Sequence, residues 1–207
     1  MIGFYDYTVI LTYLGLASGV TGIFNAIKGN PTVAICCLML SGFLDMFDGL
    51  VARTKKNRTK NEKNFGIQLD SLSDLVCFGV LPTVIGYSLG LTEYYYIPIF
   101  VVFVLAALIR LAYFNVTEEE RQAMTKEARK EYEGLPVTSV AILIPLIYSF
   151  KHYITFDFSI VYAVSLVLIA MAFITKFKLK KLKRDGMIIA VIIGIIELVI
   201  LILQKVR

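Results

Sequence analysis

The chain has 207 residues, of which 57% are hydrophobic, and its mean hydropathy of +0.73 lies far above that of soluble proteins. This composition indicates a polytopic membrane protein and leaves no room for a second soluble domain. The net charge of +5 would suggest nucleic acid in a soluble protein. Here the basic residues lie in loops between apolar runs, so the positive-inside rule explains them without a nucleic-acid partner.

Seven apolar runs are long enough to cross a bilayer, which takes about 17–25 residues. We place them near residues 8–27, 32–53, 67–91, 95–115, 136–153, 157–175 and 187–204. The amino-terminal stretch has no basic region and no small-residue cleavage site, so the first run is expected to be a retained span. The sequence therefore predicts an all-α, polytopic transmembrane helical bundle that forms a single membrane-embedded domain over residues 1–207.

The orientation follows from the basic residues. Sixteen of the 21 Lys and Arg residues lie in the loops 53–66, 116–135 and 176–186. Cytoplasmic loops carry the excess of positive charge, so these three loops and the amino terminus are predicted to face the cytoplasm. The polar stretch from Val116 to Gly134 is rich in helix formers and is predicted to form a short cytoplasmic helix.

Four carboxylates lie at the ends of the second and third apolar runs: Asp45, Asp48, Asp70 and Asp74. A charge within the bilayer costs at least about 2.5 kcal/mol, so such residues are rare and usually functional. Each pair lies on one face of its helix, and the two helices can present all four carboxylates to one site. Four like charges in a small space need neutralisation, which two divalent cations would supply. Hard oxygen ligands favour Mg²⁺, Mn²⁺ or Ca²⁺.

A fixed pattern surrounds these aspartates. It reads Asp45-x-x-Asp48-Gly49-x-x-Ala52-Arg53, then Gly66-x-x-x-Asp70-x-x-x-Asp74. All eight fixed residues of the CDP-alcohol phosphotransferase signature are present, and the chain resembles this family over roughly residues 8–150. The gap between Arg53 and Gly66 is longer than is usual in the family because of a Lys/Asn-rich insert. Three further stretches resemble the serine-using branch, the CDP-diacylglycerol–serine O-phosphatidyltransferases or phosphatidylserine synthases: LDSLSDLVCFGVLP (69–82), RLAYFN (110–115) and GLP (134–136).

The resemblance implies a six-helix core over about residues 8–175, with the run at 187–204 as an additional membrane segment. It implies a membrane enzyme of phospholipid synthesis that transfers a phosphatidyl or archaetidyl group to the hydroxyl of L-serine and releases CMP. The donor would be CDP-diacylglycerol or its ether-lipid analogue. The enzyme would lie among the lipids of the cell membrane, with its active site facing the cytoplasm, and would form a homodimer as is common in the family.

The resemblance also implies roles for individual residues. Asp45, Asp48 and Asp70 would be metal ligands, and Asp74 would be the general base, close to a metal as well. The CDP moiety would be bound by Gly49, Ala52, Arg53 and Gly66. We expect Gly66 near the start of the third helix, where free N–H groups favour phosphate. Arg110 and Asn115 are candidates for binding the acceptor or the lipid phosphate.

Two alternatives remain at this point. Tyr113 stands where the branch often has a second arginine, and Thr138 stands where a second proline usually follows GLP. Another acceptor, such as glycerol 3-phosphate or inositol phosphate, is therefore an alternative within the same reaction class. A divalent-cation transporter is the alternative from another class, although transporter sites usually lie near the midplane of the bilayer.

The stripe of Gly15, Gly19 and Gly22 in the first run indicates close helix packing, either within the chain or across a dimer.

Overall fold

The computed structural model describes residues 2–125, 131–180 and 184–206. Its regular elements are eight α-helices and two short strands, joined by single 3₁₀ turns and by one π-helical segment. In chain order they are α1 (Ile10–Ile27), α2 (Pro31–Ala52), α3 (Lys60–Asp74), the π-helical segment (Leu75–Val80), α4 (Leu81–Ser88), α5 (Ile97–Met124), β1 (Glu131–Glu133), α6 (Val140–Ser149), α7 (Phe158–Ile174), β2 (Lys178–Lys180) and α8 (Arg184–Val206).

All seven predicted apolar runs are helical. Four helical stretches are long and apolar enough to cross a bilayer, namely Tyr7–Ile27, Pro31–Ala52, Lys60–Ser88 and Tyr94–Met124. Three shorter apolar helices follow, at Val137–Tyr153, Phe158–Ile174 and Ile188–Leu203. The chain is therefore a multi-pass membrane protein, and the predicted all-α helical bundle is confirmed. The last helix, α8, packs against α6 and α2 and so belongs to the same bundle.

The glycine stripe of α1 is used within the chain. A Cβ atom on Gly19 would lie 2.5 Å from Cys77 Sγ, and one on Gly22 would lie 2.9 Å from Cys37 Cβ. Two hydroxyls strengthen this contact, since Ser18 Oγ donates to the Cys37 carbonyl and Ser41 Oγ donates to the Gly15 carbonyl, both at 2.9 Å. The small residues thus let α1 lie directly on α2 and on the π-helical segment. Of the two alternatives for this stripe, packing within the chain and packing across a dimer, the structure shows the first.

The third membrane helix begins earlier than predicted, at Lys60 instead of residue 67. The reason is a capping box, in which Thr59 Oγ1 accepts from the Glu62 N–H at 3.2 Å and Glu62 Oε2 accepts from the Thr59 N–H at 2.7 Å. This reciprocal bonding starts a helix within polar sequence that hydropathy assigns to a loop. The helix then runs through the π-helical segment into α4, whose second residue is Pro82.

The polar loop after the fourth span also differs from the prediction. Instead of a separate short helix, α5 continues without a break to Met124, and Arg121 pairs with Glu118 one turn earlier at 2.6 Å. Part of the predicted helix, residues 126–130, lies outside the described residues. Strand β1 pairs antiparallel with β2 and so joins this loop to the one after α7. Gly134, with φ of +73°, ends the pairing and donates its N–H to the Phe177 carbonyl at 2.8 Å.

Candidate metal centre

Three of the four predicted aspartates form a compact group between α2 and α3. Each of Asp45, Asp70 and Asp74 offers a carboxylate oxygen, and these oxygens lie within 4.8 Å of one another. Two ligands of one ion lie at most twice the metal–oxygen distance apart, which is about 4 Å for Mg²⁺ and about 5 Å for Ca²⁺. The group therefore fits a divalent cation, directly for the larger ion and after a small closure for the smaller one.

Asp48 is placed slightly differently from the other three. It lines the same cavity, and it interacts electrostatically with both Asp45 and Asp70. Its Oδ2 accepts a hydrogen bond of 3.0 Å from Thr12 Oγ1 of α1. All four aspartates thus converge as predicted, and α1 orients one of them.

The cavity around the carboxylates is small, with an empty volume of about 200 Å³. This space includes some open solvent, and its carboxylate walls suit cations and the reacting phosphates that they would bind. Besides the aspartates, its walls include two serines that the sequence reasoning missed, Ser41 and Ser73. Ser41 precedes Asp45 by one helical turn on the same face, so the pattern that singled out the aspartates could also have found it.

Within the described ranges, none of the four residues predicted to bind CDP lines this cavity. Gly49 and Arg53 are exposed towards the end of α2. A Cβ atom on Gly49 would meet nothing within 4 Å, so open space adjoins this glycine. Ala52 is partly buried in the same last turn of α2.

The expectation for Gly66 was wrong in one respect. Because α3 begins at Lys60, Gly66 lies in the second turn, where its N–H is no longer one of the free amides of a helix start. Asp70 and Asp74 lie further along, in the second half of α3. The space over Gly66 is occupied, since a Cβ atom there would lie 2.6 Å from Arg58 Nη2.

Arg110 and Asn115 lie on α5, away from the carboxylate cavity. Asn115 Nδ2 donates to Ser71 Oγ at 2.8 Å, next to Asp70, and so ties α5 to α3. Arg110 is only 6% exposed. Its Nε donates to the Leu135 carbonyl at 3.2 Å, and its guanidinium lies 5.5 Å from the Phe114 ring centre. The Gly134–Pro136 segment is thereby held against α5.

A polar cluster on the α2–α3 loop was missed by the sequence reasoning. Lys55 Nζ bridges Asp6 at 2.9 Å and Glu62 at 2.8 Å, so it joins the amino-terminal segment to the start of α3. Tyr7 supports this with a 3.1 Å hydrogen bond between its hydroxyl and the Thr54 hydroxyl. Hydrogen bonds from Thr8 and from Lys55 lower the pKa of Asp6 to about 2, so its charge persists at neutral pH.

The chain is similar in sequence to proteins of one enzyme family. Residues 8–206 match the model of the family described as CDP-alcohol phosphatidyltransferase. The CDP-diacylglycerol–serine O-phosphatidyltransferase of Saccharomyces cerevisiae is 34% identical over 158 residues, which are 73% of this chain and 56% of the relative. The archaetidylserine synthase of Methanothermobacter thermautotrophicus is 33% identical over 141 residues, which are 67% of this chain and 56% of the relative.

A third relative, the CDP-diacylglycerol–serine O-phosphatidyltransferase of Bacillus subtilis, is 31% identical over 113 residues, which are 54% of this chain and 62% of the relative. The chain thus spans little more than half the length of the curated relatives it matches. The family match covers nearly the whole chain and includes α8 as well as the aspartates. The chain belongs to the CDP-alcohol phosphatidyltransferase family.

Proposed function

We propose that this protein transfers a phosphatidyl or archaetidyl group from a CDP-activated lipid to the hydroxyl of L-serine and releases CMP. The observation that carries the proposal is the convergence of Asp45, Asp48, Asp70 and Asp74 on one cavity between two membrane helices. The names of the relatives support serine as the acceptor.

The carboxylates supply the chemistry of the transfer. Asp45, Asp48 and Asp70 would hold divalent cations, for which we propose two ions of Mg²⁺, Mn²⁺ or Ca²⁺. When bound, such ions hold the diphosphate and stabilise the charge that develops on the leaving phosphate. Asp74 is buried, with 8% of its surface exposed, and lies within the same group of carboxylates. It is the proposed base that accepts the proton of the serine hydroxyl.

The bonds balance in a single displacement. The serine oxygen forms a bond to the phosphorus of the lipid phosphate, and the anhydride bond to the CMP phosphate breaks. CMP leaves with the electron pair, and the hydroxyl proton passes to Asp74. The cavity fits this scheme because only the reacting phosphates, the serine hydroxyl and the ions have to enter it.

The two substrates approach from different sides in this scheme. The CDP moiety lies along Gly49, Ala52, Arg53 and Gly66, at the ends of α2 and α3 that adjoin the polar loop. Arg110 and Asn115 on α5 serve the acceptor or the lipid phosphate. Support for this comes from the bond between Asn115 and Ser71, which brings α5 next to Asp70.

We propose further that the enzyme acts in the cell membrane. The loops 53–66, 116–135 and 176–186 would face the cytoplasm, since they hold most of the basic residues. Residues 1–207 would act as one catalytic domain among membrane lipids. The proposed homodimer would use a surface other than the glycine stripe of α1, because that stripe is covered by α2 and the π-helical segment.

The experiment is CMP release by purified protein in detergent, with CDP-diacylglycerol and Mg²⁺ or Mn²⁺. L-serine, glycerol 3-phosphate and inositol phosphate are compared in parallel, each with and without a chelator. Metal-dependent release with L-serine alone supports the proposal. Release only with another acceptor would retain the reaction class and reject serine. No release with any acceptor by a folded protein would reject the transferase and favour metal transport, which is tested by metal flux into vesicles.

A further inference from the structure

One basic side chain of the long α2–α3 loop lies directly on a signature residue. Arg58 Nη2 occupies the space over Gly66, 2.6 Å from where a Cβ atom would be, and donates to the Glu62 carbonyl at 3.1 Å. Its Nε is buried and has no hydrogen-bond partner in the part of the chain that the structure describes. A buried N–H without an acceptor is unfavourable, so this group is suited to a ligand that brings one.

The charge of Arg58 is also uncompensated. Arg58 forms no ion pair with a carboxylate in the described part of the chain, whereas the neighbouring Lys55 pairs with both Asp6 and Glu62. The nearby carboxylate of Glu62 is already occupied by Lys55 and by Thr59. A guanidinium with a buried donor and no carboxylate partner fits an anionic ligand.

The loop holds this guanidinium at a defined distance from the reacting centre. Glu62 caps α3 through Thr59, pairs with Lys55 and accepts from Arg58, so one residue fixes the whole turn. Gly66 precedes Asp70 by four residues on the same helix face, which is about 6 Å along the axis. Arg58 therefore lies about one helical turn from a proposed metal ligand, on the side of Arg53 and the polar loop.

We propose that Arg58 binds the phosphate that leaves with CMP. The inference rests on the proposed function and adds to it a residue outside the signature motif, from the insert itself. A guanidinium binds phosphate oxygens through two parallel hydrogen bonds, for which Arg58 has its unpaired Nε and the neighbouring fork. Negative charge builds up on this phosphate when the anhydride bond breaks, so a cation there stabilises the leaving group.

The test compares CMP with cytidine, which lacks the phosphate. Each is titrated by calorimetry into purified protein in detergent with Mg²⁺, using wild type, Arg58→Ala and Arg58→Lys. We expect Arg58→Ala to weaken CMP binding about tenfold or more and to leave cytidine binding unchanged. Arg58→Lys keeps the charge without the fork and should lose less. The matched control is Lys56→Ala, which removes one exposed positive charge from the same loop and should bind CMP as wild type does.

Turnover gives a second readout. Arg58→Ala should raise the KM for the CDP-lipid and leave the KM for L-serine unchanged. Unchanged CMP affinity in Arg58→Ala overturns the inference, and so does an equal loss for CMP and cytidine, which would indicate a merely structural role. Tighter CMP binding in this variant would show that Arg58 only obstructs the site and would also overturn it. Should Arg58→Ala fail to fold, Arg58→Gln, which retains the first three side-chain carbons and a polar end without the charge, is measured in its place.

The design separates failure of this inference from failure of the proposed function. A wild-type protein that binds CMP but releases none from the CDP-lipid with any acceptor overturns the transferase, while the CMP titrations still decide the role of Arg58. If the wild-type protein turns over normally and Arg58→Ala does not weaken CMP binding more than cytidine binding, only the inference is overturned.

Discussion

The hydrogen bond from Thr12 to Asp48 makes a sharp prediction about the metal centre. Thr12 is 8% exposed, and its hydroxyl donates to Asp48 Oδ2 at 3.0 Å. Thr12→Val removes the hydroxyl and preserves the shape of the side chain, so Asp48 loses the group that orients it. Loss of a bond that orients a metal ligand typically lowers metal affinity or activity about 10–100-fold. That range corresponds to about 1.4–2.7 kcal/mol, in agreement with the usual strength of a hydrogen bond to a charged group.

The assay is kcat/KM for CMP release as a function of Mg²⁺ or Mn²⁺ concentration. In Thr12→Val the metal concentration for half-maximal activity should rise by the stated factor. Thr12→Ser retains the hydroxyl and is the matched control, with a metal dependence close to that of wild type. If Thr12→Val shows the wild-type metal dependence, Asp48 does not need α1 to orient it, and the role assigned to this hydrogen bond is wrong.

Three further predictions concern the base, the acceptor side and the packing of α1. Asp74→Asn should abolish turnover while CMP binding remains measurable by calorimetry, because the amide cannot take the hydroxyl proton, and near-normal turnover would exclude Asp74 as the base. Arg110→Ala should raise the KM for L-serine more than it changes the metal dependence, with Arg110→Lys intermediate. An unchanged KM would leave Arg110 a structural role, which includes its bond to the Leu135 carbonyl. Gly19→Ala should destabilise the protein by about 1–3 kcal/mol, because its Cβ would lie 2.5 Å from Cys77 Sγ. Gly194→Ala, whose Cβ meets nothing within 4 Å, should leave the melting temperature at or above that of wild type, and equal losses in the two variants would contradict this reasoning.

The bundle and the carboxylates were predictable because both depend on local regularities of the sequence. Apolar runs of membrane length fix the number of helices, and helical spacing brings Asp45 and Asp48 to one face and Asp70 and Asp74 to another. Since charge is so unfavourable in hydrocarbon, the four aspartates stand out without any structure. Their convergence needs only that α2 and α3 be neighbours, as is usual for helices that follow each other directly in the chain.

The missed features depend on contacts that hydropathy does not register. The start of α3 is set by the Thr59–Glu62 capping box in a polar stretch, and α5 extends beyond its apolar part into charged sequence. The bond between Asp6 and Lys55 joins residues 49 positions apart in the chain, so no helical or strand periodicity of the sequence predicts it. The position of Arg58 over Gly66 depends on that same loop conformation, so the sequence did not predict it either.

The packing of α1 and the chemistry of the cavity are physically linked. Thr12, Gly15, Gly19 and Gly22 lie along one face of α1, and Gly19 and Gly22 allow the backbone to approach α2 and the π-helical segment closely. Only at this distance does the Thr12 hydroxyl reach Asp48 and the Gly15 carbonyl reach the Ser41 hydroxyl. Pushing α1 outward at Gly19 should therefore lower metal affinity as well as stability, although Gly19 touches no aspartate. A Gly19→Ala protein with reduced melting temperature and wild-type metal dependence would show that the helix can shift without disturbing the centre.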